Sequence, residues 1–252
     1  MVGNAKLAIS AWHEYTHMNI SRLMCLLASL SWLVCTLGHA AAATTPQITT
    51  FDIESTVINE ASALVRSHRS QGVLWTLNDS GGDTDIHALS SNGELLGSAT
   101  LTGPGVINQD WEDMGSFTQG GKHFLLIGDV GDNFAWRPYI TLYLIEEPVL
   151  PAHPEAAVAL NAPVLHTFRV QLPNGPRDIE AIAVAPDENA AYLITKRDNR
   201  PLLYRFSLTR TAGSHLTERV ASDLGAIRIP RADRNNGYFN WVTAMDFSAS
   251  GR

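Results

Sequence analysis

The chain has 252 residues, 45% hydrophobic and 17% charged, with 18 basic and 25 acidic side chains and a formal net charge of −7. This composition excludes a disordered chain. The acid excess, with no Lys/Arg cluster to offset it, argues against a nucleic-acid partner. Both cysteines, Cys25 and Cys35, lie within residues 1–43, so disulfides and Cys-ligated zinc are impossible beyond them.

The first 43 residues read as an N-terminal extension and signal peptide. Residues 18–22 (MNISR) form a short basic region, 23–38 (LMCLLASLSWLVCTLG) an apolar stretch, and 39–43 (HAAAA) a small-residue cleavage site. That order is the export pattern. The apolar run falls short of the ~20 residues a spanning helix needs, so no stable membrane insertion is expected after cleavage. Translation is expected to start at Met18, and the mature protein to be periplasmic or secreted. The string HEYTH at 13–17 has the spacing of a helical zinc protease site. It precedes the export segment and lacks a helical context, so it is not read as a metal site.

From residue 44 the hydrophobic period is two. Residues 73–77, 123–127, 140–145, 164–172, 191–195 and 202–208 are strand-like, rich in β-branched and aromatic residues and bounded by Gly, Pro, Asn and Asp. Residues 49–56 also read as a strand. The stretch 147–176 holds Pro148, Pro151, Pro154, Pro163, Pro173 and Pro176 and reads mostly as loop, since proline cannot donate to a ladder. The expected fold class is all-β.

Four segments align without gaps: 60–64 (EASAL), 110–114 (DWEDM), 178–182 (DIEAI) and 241–245 (WVTAM). After each of the first three comes a strand ending in a polar turn: 77–82 (LNDSGG), 127–133 (IGDVGDN) and 194–199 (ITKRDN). A third strand follows (86–89, 142–145, 203–206), and a fourth is expected at 95–101, 164–172 and 216–222. Four strands per roughly 50–70 residues is the pattern of a β-propeller blade. The count is about three four-stranded blades plus one strand. The expectation is therefore a truncated product in which 44–252 form a partial propeller domain with open edges.

The start of each inner strand and the turn after its partner would converge on a central channel. The acids there are Glu60, Asp79, Asp110, Glu112, Asp113, Asp129, Asp132, Asp178 and Glu180, with Asn78 and Asn133 among them. Carboxylates gathered on one axis repel unless a cation neutralises them, and hard oxygen ligands suit Ca²⁺. Histidine is not enriched there, which disfavours zinc or iron. The expected metal ligands are Glu60, Asp79, Glu112, Asp129 and Glu180, with one further acid, Asp110 or Asp178, as a general base. Asn78, Lys196 and Arg137 are the residues expected to meet a small polar or anionic ligand. Lys196 aligns with Asp79 and Asp129, and suits an acidic cluster, an anionic substrate or a structural ion pair equally. Asn78, Asp79, Asp129 and Asp132 also suit plain turn chemistry. Glu112 and Glu180 sit in apolar settings where an unpaired carboxylate is costly. Trp75, Trp111 and Trp241 read as packing residues. No nucleophile elbow, phosphate loop or Ser/His/Asp spacing occurs.

The strings LNDSG (77–81), DWEDM (110–114), GDVGDN (128–133), DIEA (178–181) and VTAMDFS (242–248) resemble a family of exported bacterial β-propeller proteins. More distantly, the chain resembles phytase-like esterase and gluconolactonase-type propellers. The resemblance covers about residues 55–252 and implies further blades. It also implies a channel-bound Ca²⁺ that polarises a phosphate or lactone oxygen and activates water. Metal-assisted hydrolysis of an ester, lactone or phosphoester is the expectation; a non-catalytic binding or protein-interaction scaffold is the alternative, since propellers host many functions.

Overall fold

The computed structural model describes residues 50–151, 156–229 and 241–248. The export segment, the start at Met18 and the HEYTH string lie outside the described residues. The chain divides into two units, and the described residues from Ile53 onward belong to the second. Every described strand belongs to the second, which is all-β, with one 3₁₀ turn and no α-helix among the described residues.

The strands run as three antiparallel meanders. The first is β1 (Ala61–Arg66), β2 (Val73–Asn78), β3 (Asp85–Ser90) and β4 (Leu95–Thr102). The second is β5 (Trp111–Gln119), β6 (Lys122–Asp129), β7 (Ile140–Glu146) and β8 (Val158–Gln171). The β5–β6 hairpin turns on Gly120 and Gly121, with φ of 58° and 75°. Two consecutive left-handed residues match the twist of the flanking strands, and glycine adopts them without strain. The third contains β9 (Ile179–Ala185), β10 (Ala190–Thr195) and β11 (Leu202–Ser207). Next comes β12 (Leu216–Val220), and β13 (Ser222–Ala226) completes the third meander against β11.

Two departures from the sequence reading concern the fourth strands. Residues 216–220 do not close the third meander; as β12 they pair in parallel with β8. The proline-rich stretch 147–176 is not all loop, because β8 takes up 14 of its residues. Over 158–163 β8 pairs in parallel with β4, and from Val164 it pairs with β7. Pro163 sits at that handover, where a missing N–H is tolerated. β8 thereby ties the first two meanders into one sheet. Residues 49–56 were expected as a strand; the described part holds one isolated bridge residue, Asp52. Residues 241–248 are likewise not a strand, since no described strand pairs with them and a ladder needs a partner.

The core has two layers. Leu125, Ile127, Tyr143 and Ile145 join Trp75, Leu77 and Trp111 in one cluster, while Leu126, Leu142 and Leu144 join Ile182, Val184, Leu193 and Phe206 in the other. Successive side chains on β6 and β7 thus bury into opposite clusters, which is why both strands are continuous apolar runs. Each fully buried Leu, Ile or Phe contributes roughly 1.5–3 kcal/mol. A polar knot ties the first two meanders at their rim. The Glu147 carboxylate, 2% exposed, accepts from Ser67 Oγ, Trp75 Nε1 (3.0 Å) and the backbone N–H groups of His68 and Arg69 (both 3.2 Å).

The three meanders begin alike. An acid, Glu60, Asp110 or Asp178, precedes the first strand, and its carbonyl accepts the N–H of Asp79, Val130 or Lys196 at 2.9, 3.1 and 3.0 Å. Each first strand then carries one extra residue against its partner. Ala61 faces Asn78 and Ala63 faces Leu77; Trp111 faces Asp129 and Asp113 faces Gly128; Ile179 faces Thr195 and Ala181 faces Ile194. The extra residues are Ser62, Glu112 and Glu180. A bulge at the same place in each repeat re-aims the same side chain.

Candidate functional site

β5 packs against both β1 and β9, so the three bulged residues become neighbours. Ser62 Oγ donates to Glu112 Oε2 at 3.2 Å. Glu112 and Glu180 hydrogen-bond to each other, and Lys196 Nζ ion-pairs with Glu180 Oε1. Glu112 and Glu180 are 5% and 4% exposed. Asp79, just past β2, and Asp110, just before β5, turn toward the same point: one carboxylate oxygen each from Asp79, Asp110 and Glu112 lie within 4.8 Å of one another.

Gly131 makes this approach possible. A Cβ there would lie 2.4 Å from Asp110 Oδ2 and 2.8 Å from Glu112 Oε1, closer than any side chain tolerates. Its bare backbone is the floor against which both carboxyls rest, and a side chain there would push them aside.

The electrostatics follow from that crowding. Burial, and then Asp79, push Asp110 up to about 6, with Arg137 opposing. Burial followed by the charges of Glu180, Asp79 and Asp110 raises Glu112, with Lys196 opposing. Burial raises Glu180, against the ion pair with Lys196. These acids hold protons at a pH where ordinary carboxyls are ionised, because like charges face one another in a partly dry pocket.

Other acids from the same stretch are engaged by donors. Asp129, 1% exposed, accepts from Arg137 Nη1 at 2.9 Å and from the Asp110 N–H at 3.1 Å; burial raises it and Arg137 opposes. Asp178 accepts the Asp132 N–H at 2.9 Å and Arg197 Nε at 2.5 Å. Asp132 accepts the N–H groups of Trp136 (3.1 Å) and Arg137 (2.8 Å), shaping the 130–139 loop. Asp113 receives the N–H groups of Ile182 (2.6 Å), Met114 (2.8 Å) and Met245, fastening β5 to β9; burial nevertheless pushes it up to about 8.

Of the residues expected from sequence, Asp79, Asp110, Glu112, Glu180 and Lys196 come together. Glu60 is exposed and is not one of the three converging acids. Asn78 is occupied with residues 57–60, accepting the N–H groups of Asn59 and Glu60 and donating to the Val57 carbonyl at 2.7 Å. Arg137 lies behind Asp129, bonded also to the carbonyls of Gly131 and Asp129. Lys196 matches Asp79 and Val130 rather than Asp129, whose counterparts are Asn78 and Thr195. Trp75 and Trp111 are fully buried, whereas Trp241 is 43% exposed and stands over Lys196 and Arg197 at 5.3 and 5.0 Å.

Sequence reasoning missed Ser62, Gly131 and Arg197. Ser62 was findable, as the third position of the aligned segments that holds Glu112 and Glu180. Gly131 and Arg197 lie within the polar turns 127–133 and 194–199, where no local signal sets them apart.

The donor set is all oxygen, and no histidine or cysteine belongs to the three-acid group. Flexible, oxygen-rich coordination is what Ca²⁺ accepts, whereas zinc prefers nitrogen and sulfur. Compared with known proteins, the chain matches no family model and no curated protein.

Proposed function

We propose that the three meanders are four-stranded blades of a β-propeller, and that the acids at the starts of their inner strands hold Ca²⁺ and receive a small polar or anionic ligand. One observation carries this reading: Asp79, Asp110 and Glu112 bring carboxylate oxygens within 4.8 Å of one another, against a glycine floor that leaves no room for a side chain. A cation displaces the protons that Asp110 and Glu112 otherwise retain and removes the mutual repulsion of the three acids. Asp79, Asp110 and Glu112 are the ligands; Glu180, steadied by Lys196, flanks them. When bound, Ca²⁺ supplies Lewis-acid polarisation of a phosphate, ester or lactone oxygen. This reading keeps the resemblance to exported propellers, and with it a periplasmic or secreted location.

A second reading, a cation-binding scaffold without catalysis, has its own support. Of the two acids expected to offer the general base, Asp178 is engaged by Arg197 and the Asp132 N–H. Asp110 is itself one of the three converging acids. Neither of these two acids is therefore both outside the cluster and free of a donor.

Calorimetric titration of the full chain with Ca²⁺, alongside thermal unfolding, tests the site. One saturable event and a rise in Tm are expected; no heat and no shift reject the metal reading. Hydrolysis in ester, lactone and phytate panels supports the enzyme, and saturable Ca²⁺ binding without turnover supports the scaffold.

A further inference from the structure

A cavity lies behind Asp129 and Arg137, between the 103–109 loop and one face of β7, β8 and β12. Its volume is about 530 Å³, inside the roughly 300–1,000 Å³ range of small-molecule sites. The strand register explains its lining. Thr141 pairs with Arg169, Tyr143 with Thr167 and Leu216 with Thr167, so alternate residues of three strands project to this side while Leu142, Phe168 and Val170 enter the core.

The lining divides by chemistry. Ile107, Pro138, Tyr139, Val164 and Leu216 form apolar walls. Thr141, Thr167, Arg137 and Arg169 supply donors. Thr141 is only 7% exposed, yet its hydroxyl has no hydrogen bond among the described residues. The Arg137 side chain is 8% exposed, and three hydrogen bonds engage its guanidinium. A guanidinium has five N–H donors, so two remain for a ligand. These spare donors are not sealed in the interior, where the unpartnered side-chain nitrogens among the described residues are Arg69 Nε and Arg177 Nε; they keep solvent access.

The charge balance identifies the partner's sign. Asp129 is the one acid lining the cavity, and it is held by Arg137; Arg169 is the second cation of the lining. The partner of Arg169, Glu218, is 53% exposed at its side chain and is not part of the lining; such a surface pair is weak. We infer that this cavity binds a small organic anion, with an oxyanion head (a carboxylate or a phosphomonoester) on Arg137, Arg169 and Thr141 and an apolar body against Tyr139, Val164 and Leu216.

The test is calorimetry on the full chain in EDTA, which leaves the acidic cluster free of metal. Benzoate and phenyl phosphate are the probes; benzyl alcohol and inorganic phosphate are the controls. Saturable one-to-one binding of either aromatic anion is expected, and the tighter of the two identifies the head group. Both controls should bind at least about tenfold more weakly, since a charged hydrogen bond and the apolar contact are each lost in turn. Arg169→Gln should weaken binding about tenfold, Thr141→Val severalfold, and Thr167→Trp, which fills the cavity, should abolish it. The inference is overturned if neither anion saturates, or if either control binds as tightly as the anions. It is also overturned if a folded Thr167→Trp protein, or Thr141→Val where the bulkier variant does not fold, binds with unchanged affinity.

Discussion

Glu147 and Glu112 are both nearly buried carboxylates, at 2% and 5% exposure, in opposite surroundings. Glu147 is ringed by donors from the first meander: a hydroxyl, an indole N–H and two backbone N–H groups. Glu112 has one hydroxyl donor, Ser62, and three acidic neighbours, Asp79, Asp110 and Glu180. Both lie at joins between neighbouring meanders. The difference separates fold from site. A buried carboxylate surrounded by N–H groups holds structure together, whereas one surrounded by carboxylates is an unfinished arrangement that a cation completes.

The largest effect expected from breaking this contrast is on the structural side. Glu147→Leu leaves the Trp75 indole and two backbone N–H groups unpaired in the interior, and should cost roughly 3–5 kcal/mol in urea unfolding. Glu112→Gln should behave oppositely. In calcium-free buffer it should cost nothing or stabilise by up to about 1 kcal/mol, since an amide is neutral among the acids without taking up a proton on folding. A loss for Glu112→Gln as large as that for Glu147→Leu would erase the distinction. With Ca²⁺ at a hundred times Kd, the wild type should gain about 2.7 kcal/mol, and Glu112→Gln should gain little or none.

A subtler effect is on pH dependence. Burial and crowding raise Asp110 from 3.8 to about 6 and Asp113 from 3.8 to about 8. The folded protein therefore keeps protons that the unfolded chain releases, so their stabilising contribution is full below pH 3.8 and is lost as pH rises through 6 and 8. Unfolding in EDTA should show stability falling from pH 5 to pH 8, and saturating Ca²⁺ should flatten that slope by replacing the proton on Asp110. A rise in stability across the same range contradicts the crowded-acid picture. The smallest effect is at Lys196: Lys196→Met removes a cation beside Glu180 and should tighten Ca²⁺ binding severalfold by calorimetry.

Much of the fold was legible because the strands that matter are buried on one or both faces. The apolar runs of β6 and β7 and the Gly120-Gly121 turn carry their conformation in local chemistry. The acid-led segments at 60, 110 and 178 did prove to be equivalent starts, as their shared backbone hydrogen bonds show. What stayed illegible was non-local. Whether 216–220 pairs with β11 or β8 depends on which edge is open, and the strand's own residues do not state that. The same holds for Asp79 and Asp129, two similar turn acids: one faces other acids and the other faces Arg137, eight positions along the chain. The bulges at Ser62, Glu112 and Glu180 were hidden because an extra residue in one strand appears only against its partner.

A cation among Asp79, Asp110 and Glu112 is the central claim. Crystals grown with Ca²⁺, or with Mn²⁺ as an anomalous scatterer, locate it directly. The account predicts one strong peak within about 2.3–2.6 Å of oxygens from all three side chains, absent in Glu112→Gln. A peak elsewhere, or none at saturating metal with the three carboxyls still converged, contradicts it.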